Sequence, residues 1–385
     1  MSTRVLIPDI YPMMFNLPEK IRQQATPGRF FHLGRFWQAA DAIAAYLPSR
    51  SCKIVHTMNK IPLAAGTPWV VTFESGLPRT HDRSRMLDRL LRERLLSPEC
   101  LGIVAMSEWA RKIFLLENRD WEKLPLATEK LSVIYPTVPV KRSQPREWIK
   151  DEPLEIAFVG NNFARKGGIV ALRLAKKAAD RGLNIKIHIV SAMKYARGEH
   201  MDHPDPERYA ADMKYMDLPN VSFHGSLPNK DVQQILQQCH LQLLATLHDT
   251  FGFSVLEGFA WGLPALTSNI CALPEMVDDG ENGYLLHLPK NERNGWSRES
   301  VDNSDAYWSV VNEAYESMSN QALDAITRLY DHPGSLERLS YGAINTLHNK
   351  FNPDHAACLL EDIYRKADFA DSSGEQKNAC GENVA

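Results

Sequence analysis

The chain has 385 residues, 44% of them hydrophobic and 24% charged, which suits about two globular domains and excludes a disordered chain. No apolar run approaches the roughly 18 residues that a membrane span needs, and the opening MSTRVLIPDIYPMMF, one Arg and then Pro and Asp, does not read as a signal peptide. The net charge of −3 hides an asymmetry, because residues 1–150 carry 23 Lys and Arg against 14 Asp and Glu, and the rest carries 21 against 33.

A basic first half and an acidic second half imply two units with different partners, nucleic acid or an anionic membrane surface being the candidates for the basic one. The six cysteines (Cys52, Cys100, Cys239, Cys271, Cys358 and Cys380) are widely spaced, with no CxxC pair. This argues against a disulfide framework or a structural zinc site and for a reducing cytosol.

In chain order, the pattern predicts a strand at 4–7 ended by Pro8, a helix over 35–47, and strands at 53–56 and 69–73. An amphipathic helix follows at 83–96, then a strand at 103–105, a helix from about 108 to 116 capped by Ser107, and a strand at 131–134. The polar stretch KRSQPREWIKDEP, 141–153, reads as a linker. Beyond it the pattern gives a strand at 154–159, a helix at 169–181, and strands at 185–190 and 221–224. A helix at 229–238, a strand at 241–246, a helix at 253–261 and a strand at 265–267 follow, then helices near 305–329, 335–349 and 353–367. The tail from Asp371 is small and polar and reads as disordered. Strand–helix alternation in both halves predicts an α/β protein of two Rossmann-like domains, 1–145 and 152–350, facing across a cleft at the carboxyl ends of their strands. The helix 353–370 is expected to return to the N-terminal domain, and 371–385 to form the tail.

The most informative run is His248-Asp249-Thr250-Phe251-Gly252-Phe253-Ser254-Val255-Leu256-Glu257. It leaves a buried strand and opens a helix. Gly252 lets a ligand approach the backbone, and the unpaired N–H groups of the helix's first turn suit a phosphate or sugar oxygen. Glu257, about one turn inside, can accept two hydrogen bonds from a ribose diol. The alternative is a strand–loop–helix in which Asp249 only caps. Residues 262–267, Gly-Leu-Pro-Ala-Leu-Thr, and 274–286, beginning Pro274-Glu275-Met276-Val277, follow directly.

Over 249–285 the sequence resembles the GT-B retaining glycosyltransferases of family 4, whose donor domain carries E-x-F-G-x-x-x-x-E, then G-x-P, then P-E-x-V-x-x-G-x-x-G. Asp249 stands where the family has its first Glu and keeps the charge. The resemblance extends over 154–286 and covers Gly160-Asn161-Asn162-Phe163-Ala164-Arg165-Lys166, where the family places basic residues on the donor diphosphate. Asn161 stands where many members have Arg, which leaves Arg165 and Lys166 as the pair. What the resemblance implies is a hexosyltransferase with a nucleoside diphosphate sugar as co-substrate and no other cofactor or metal. Glu257 would hold the ribose, and Asp249 with Phe251, Gly252 and Phe253 would orient the sugar.

The family's glycine loop near the first strand has no counterpart in Asp9–Asn16. Glu74, at the end of the strand before Gly76, is the acceptor-side candidate, with pairing to Arg79 as the alternative. Helix 83–96 has its leucines on one side and Arg83, Arg85, Arg89, Arg92 and Arg94 on or beside the other. That arginine face could meet anionic lipid, or could simply pair with Asp82, Asp88 and Glu93. His81, His200 and His203 sit among charges and read as solvated. The expected partners are therefore the nucleotide sugar, a glycan or lipid-linked glycan acceptor and an anionic membrane, not nucleic acid. The expected location is cytoplasmic, peripheral at the inner membrane face. A nucleotide-sugar epimerase of the same fold, or a non-catalytic partner subunit, are the competing readings.

Overall fold

The computed structural model describes residues 4–8, 13, 17–80, 84–195, 201–300 and 304–379. Asp9–Pro12, Met14–Asn16, His81, Asp82, Arg83 and His200, all named above, lie outside the described residues, as do 380–385 of the tail. The chain forms two units, one of residues 1–137 with 351–385 and one of residues 138–350.

The first unit holds strands β1 (Val5–Pro8), β2 (Ala25–Gly28), β3 (Phe30–Phe31), β4 (Ile43–Tyr46), β5 (Ile54–Met58), β6 (Ile61–Pro62), β7 (Trp69–Phe73), β8 (Cys100–Ala105) and β9 (Leu131–Val133). Six of them make a parallel sheet in the order β2-β1-β5-β7-β8-β9, and β3-β4-β6 make a small second sheet. Strands β5, β7 and β8 are buried at every position, the state expected of parallel strands covered on both faces. Helix Arg85–Leu96 buries Leu87, Leu91 and Leu95 at four-residue spacing, and the Ser84 hydroxyl accepts from the Leu87 N–H at its start. Ser107 caps helix Glu108–Glu117 in the same way, accepting from the Ala110 N–H.

Residues 35–47 do not form the predicted helix. Two short 3-10 turns, Leu33–Arg35 and Gln38–Ala42, bury Ala39, Ala40 and Ala42, and the chain then becomes β4. Pairing wins over helical periodicity here, because β4 lies antiparallel to β3 and parallel to β6.

The last helix, Pro353–Ala379, belongs to the first unit and runs through residues 371–379, which the composition marks as disordered. Within this unit the helix is tied to the sheet by buried polar contacts. Nδ1 of His56 (β5) is 2.6 Å from the Tyr364 hydroxyl, and Nε2 is 2.7 Å from the Thr72 hydroxyl of β7. Ile363 packs so closely on β8 that a Cβ at Gly102 would lie 2.9 Å from its Cγ2.

The second unit holds β10 (Leu154–Val159), β11 (Ile185–Val190), β12 (Val221–Gly225), β13 (Leu241–Leu244), β14 (Ala265–Ser268) and β15 (Gly283–Leu286). They form one parallel sheet in the order β12-β11-β10-β13-β14-β15. Counted within the unit, this is the doubly wound order, whose direction reverses between the first and fourth strands, here β10 and β13. Helix Gly168–Asp180 buries Ile169 to Leu172, Leu174, Ala175 and Ala178. Its Arg173 makes two hydrogen bonds to Asp212, at 2.7 and 2.8 Å, and caps the Asn312 carbonyl.

The stretch 141–153 is not a solvated linker. The N–H groups of Lys141 and Arg142 both bond the Ala260 carbonyl. Arg146 is buried and donates to the carbonyls of Trp261 and Leu236, and Trp148 packs edge-on against Tyr330. Long side chains with apolar stems account for this in a segment that reads as polar.

The charge asymmetry of the sequence also shrinks once the units are known. The first unit carries 22 Lys and Arg against 20 Asp and Glu, and the second 22 against 27. The acidic last helix joins the basic half, and the basic stretch after Thr137 joins the acidic one.

Burial lowers the His56 pKa from 6.5 to about 3. The folded chain therefore refuses a proton that the unfolded chain takes up below pH 6.5. This contribution to stability is complete above pH 6.5 and is lost as pH falls toward about 3. Urea unfolding should show stability declining below pH 6.5 at up to about 1.4 kcal/mol per pH unit from this group, and less steeply in His56→Gln. Tyr364→Phe should cost about 1–3 kcal/mol by leaving a buried imidazole nitrogen unpaired.

Candidate functional site

In an open α/β sheet, ligands bind outside the carboxyl ends of the strands where the strand order reverses. In the second unit that point lies between the loops after β10 and β13. Gly160, Asn161, Arg165 and Lys166 follow β10; His248, Asp249, Phe251, Gly252, Phe253 and Glu257 follow β13.

The two loops are joined by an ion pair. Lys166 Nζ donates to Asp249 Oδ2, and both side chains are largely buried. Asp249 Oδ1 accepts from the Gly252 N–H at 3.1 Å and the Phe251 N–H at 3.4 Å. Burial opposes ionisation of Asp249, but Lys166, Arg165 and His248 together hold its pKa below the ordinary value. Asp249 thus caps the loop and carries the charge at once.

Arg165 Nη1 donates to the His248 carbonyl at 2.9 Å, and the Arg165 carbonyl accepts from the Leu247 N–H and the Thr246 hydroxyl. Such a close approach of the two loops needs Gly167. Its φ is +97°, and a Cβ there would stand 2.4 Å from the Ala245 carbonyl oxygen. A Cβ at Gly160 would crowd the Lys166 Cβ at 2.8 Å. The Asn161 carbonyl accepts from the Lys194 N–H and fixes the loop's entrance.

Gly252 also has positive φ, +95°, and helix Phe253–Ala260 starts from it. Phe251 is buried and packs 5.1 Å from Phe253, centroid to centroid. Glu257 is buried in the helix, and its Oε1 accepts from Asn229 Nδ2 at 2.9 Å. Burial pushes its carboxyl pKa up, and the Asn229 amide works against the rise.

Burial disfavours the His248 imidazolium, yet Cys271, 3.9 Å away, and Glu299, 3.8 Å away, raise its pKa to about 9. Asn229, Thr246, Cys271 and Glu299 were not candidates from sequence. None falls in a motif, and Glu299 reaches the site from a loop fifty residues further on.

In the first unit, Glu74 Oε1 accepts from Arg79 Nη1 and from Asn59 Nδ2, each at 3.2 Å, and its N–H donates to the Asn59 side-chain oxygen. The Arg79 pairing weighed above is therefore present. In helix Arg85–Leu96, Arg92 pairs with Asp88 and Asp120, and Arg94 pairs with Glu99 and caps the carbonyls of Pro62 and Ala64. The arginine face is thus partly spent on internal partners. His203 is buried, not solvated as its sequence neighbours suggest, and its ring packs edge-on against Trp308. Among the described residues, no helix is long and apolar enough to cross a membrane, and no three His, Cys, Asp or Glu side chains are grouped so as to hold a metal ion.

Residues 140–294 match the family described as glycosyl transferases group 1. A 41.2 kDa protein from the cps region of Klebsiella pneumoniae is 22% identical over 223 residues, 50% of this chain and 57% of that protein. A D-inositol 3-phosphate glycosyltransferase of Corynebacterium aurimucosum is 24% identical over 133 residues, 34% of this chain and 31% of that one. The chain therefore spans little more than half the length of the first relative and a third of the second. Among solved structures, HepE of Anabaena in complex with UDP-glucose superposes with a TM-score of 0.60 at 12% identity, covering 94% of this chain and 100% of that one. The chain's two parallel Rossmann-like sheets give it the GT-B fold, and its residues 140–294 are similar to the glycosyl transferases group 1 family.

Proposed function

We propose that the protein transfers a hexose from a nucleoside diphosphate sugar to a hydroxyl of a polysaccharide or lipid-linked oligosaccharide, with retention at the anomeric carbon. The observation that carries this reading is the cationic group Arg165, Lys166 and His248 gathered at the reversal point of the second sheet, with the Glu257 carboxylate one turn inside the adjoining helix. A fold relative solved with UDP-glucose supports the donor class.

Each group keeps capacity for a ligand. An ammonium has three donors, and Lys166 gives one to Asp249. A guanidinium has five, and Arg165 gives one to the His248 carbonyl. Negative charge grows on the diphosphate as the bond to the sugar breaks, and fixed cations there stabilise the transition state more than the ground state. Glu257 has one oxygen on Asn229 and another for the ribose diol. Asp249 holds the Phe251–Gly252 backbone in the shape that orients the sugar. In the first unit, Glu74, oriented by Asn59 and Arg79, positions the acceptor hydroxyl. With a lipid-linked acceptor the protein would work in the cytoplasm, peripheral at the inner face of a membrane.

The test is incubation with UDP- and GDP-sugars without acceptor. Slow release of free sugar, first as the anomer of the donor, supports a retaining transferase. Return of an isomeric nucleotide sugar would make it an epimerase, and an inert donor would make it a non-catalytic subunit.

Glu257→Ala should weaken nucleoside diphosphate binding by roughly ten- to a hundredfold, read by calorimetry, since hydrogen bonds to a charged group are lost. Because burial raises the Glu257 pKa, wild-type affinity should fall on acidification from a higher pH than an ordinary Glu would give. Arg165→Ala with Lys166→Ala should lower turnover by about a hundred- to a thousandfold and weaken binding of the bare nucleoside far less. Thermal unfolding of the same variant separates lost chemistry from the cost of leaving Asp249 unpaired.

A further inference from the structure

We infer that the stretch 29–50 of the first unit is the surface by which the protein docks on an anionic lipid bilayer. This deepens the reading of a membrane-borne acceptor and rests on it. The stretch exposes a set of large apolar side chains that a soluble surface rarely tolerates together: Phe36 is 90% exposed, Leu47 52%, Trp37 48% and Phe31 37%.

The backbone holds them in one region. Phe31 pairs with Ala45 in the β3–β4 ribbon, and the Leu47 N–H donates to the Arg29 carbonyl at 3.0 Å, so Arg29, Phe31 and Leu47 share one face of it. Phe36 and Trp37 lie between the two 3-10 turns, their N–H groups bonded to the Leu33 carbonyl. Ala39, Ala40 and Ala42 anchor the second turn in the core. The aromatic tips are thus presented on a fixed base.

The charge around them has one sign. Arg29, Arg35 and Arg50 are exposed, and none forms an ion pair with a described residue. Arg29 lies over the Phe31 ring, 5.5 Å from its centroid. The one carboxylate of the stretch, Asp41, is bound to Lys60 at 2.6 Å. Aromatic rings favour the headgroup level of a bilayer, and arginines favour its anionic surface; the two attractions together anchor a protein where neither would alone. A second copy of this chain would bring the same unpaired arginines against one another, so lipid is the complementary occupant.

Helix Arg85–Leu96 is less suited, because Arg92 and Arg94 are engaged internally and Asp88, Glu93, Asp120 and Glu122 share its groove. With a near balance of charge over the whole unit, attraction to an anionic surface must come from a local patch.

The experiment is co-flotation of the full chain with phosphatidylcholine vesicles, with and without phosphatidylglycerol. Wild type should bind the anionic vesicles. Phe36→Ser with Trp37→Ser should lower partitioning by about a hundredfold, given what burial of such side chains is worth. Arg29→Gln, Arg35→Gln and Arg50→Gln together should lower it by a similar factor and remove the preference for phosphatidylglycerol and the sensitivity to salt. Arg85→Gln with Arg89→Gln should bind as wild type. Donor hydrolysis in solution should be the same in all. If wild type binds and only the Arg85 and Arg89 variant fails, the docking surface is wrong while the peripheral reading stands. If wild type ignores anionic vesicles, both fall. If sedimentation shows a dimer that Phe36→Ser with Trp37→Ser dissolves, the stretch is a subunit interface and the inference is overturned.

Discussion

The ion pair between Lys166 and Asp249 is the contact on which the second unit's site depends. It joins loops that leave two neighbouring parallel strands, β10 and β13, which meet directly at Ile156 and Leu241. Bringing both charges out of water is costly, and the pair stands only because each partner has further support. Asp249 receives two backbone N–H groups, and Arg165 and His248 add positive charge near it. Gly167 lacks a side chain where one would strike the Ala245 carbonyl and push the loops apart. A buried carboxylate and a buried ammonium that satisfy one another also leave the site's other cations uncommitted to it. The pair is thus a frame, and what it leaves over is two ammonium donors of Lys166 and the remaining donors of Arg165.

The first unit makes its corresponding tie without charge. His56 is neutral, held between a tyrosine and a threonine hydroxyl, and through it the last helix of the chain is fastened to strands of its opening half. Neutral partners suit this position because it is fully enclosed by β5, β7 and the helix, where an imidazolium would have no counter-charge. The consequence is that the first unit is built from both ends of the sequence. The helix after residue 350, expected from the sequence to return to the N-terminal domain, belongs with that unit.

Most of the strands were legible because parallel strands covered on both faces are short apolar runs, as 69–73 is, or runs of apolar residues with few polar interruptions, as 154–159 with Glu155 and 185–190 with Lys186 and His188. The cap at Ser107 was an equally local signal. Residues 35–47 misled because Ala, Ile and Leu at helical spacing say nothing about an available strand partner, and β3 and β6 supplied one. At the site, the motif-bearing residues after β10 and β13 could be named because strand–loop–glycine–helix is a local arrangement. Asn229, Cys271 and Glu299 could not, since each meets Glu257 or His248 only through tertiary packing. Asp249 was readable as a charge but not as a cap and an ion-pair partner together, because Lys166 lies 83 residues before it.

Net charge illustrates the same point at larger scale. The sequence halves suggest a basic face and an acidic one, but the folded units are close to balance, and the cations of the first unit are largely answered one by one. Arg79 meets Glu74, Arg94 meets Glu99, Lys123 meets Glu93, and Lys130 is wrapped by the carbonyls of Leu96, Ser97 and Cys100. Screening within about 10 Å at moderate salt makes these local pairings, and not the totals, decide what a surface attracts. The second unit carries a small excess of acid, yet Arg165 and Lys166 stand where its strand order reverses. In both units the charge that matters for a partner is the charge that folding leaves unanswered.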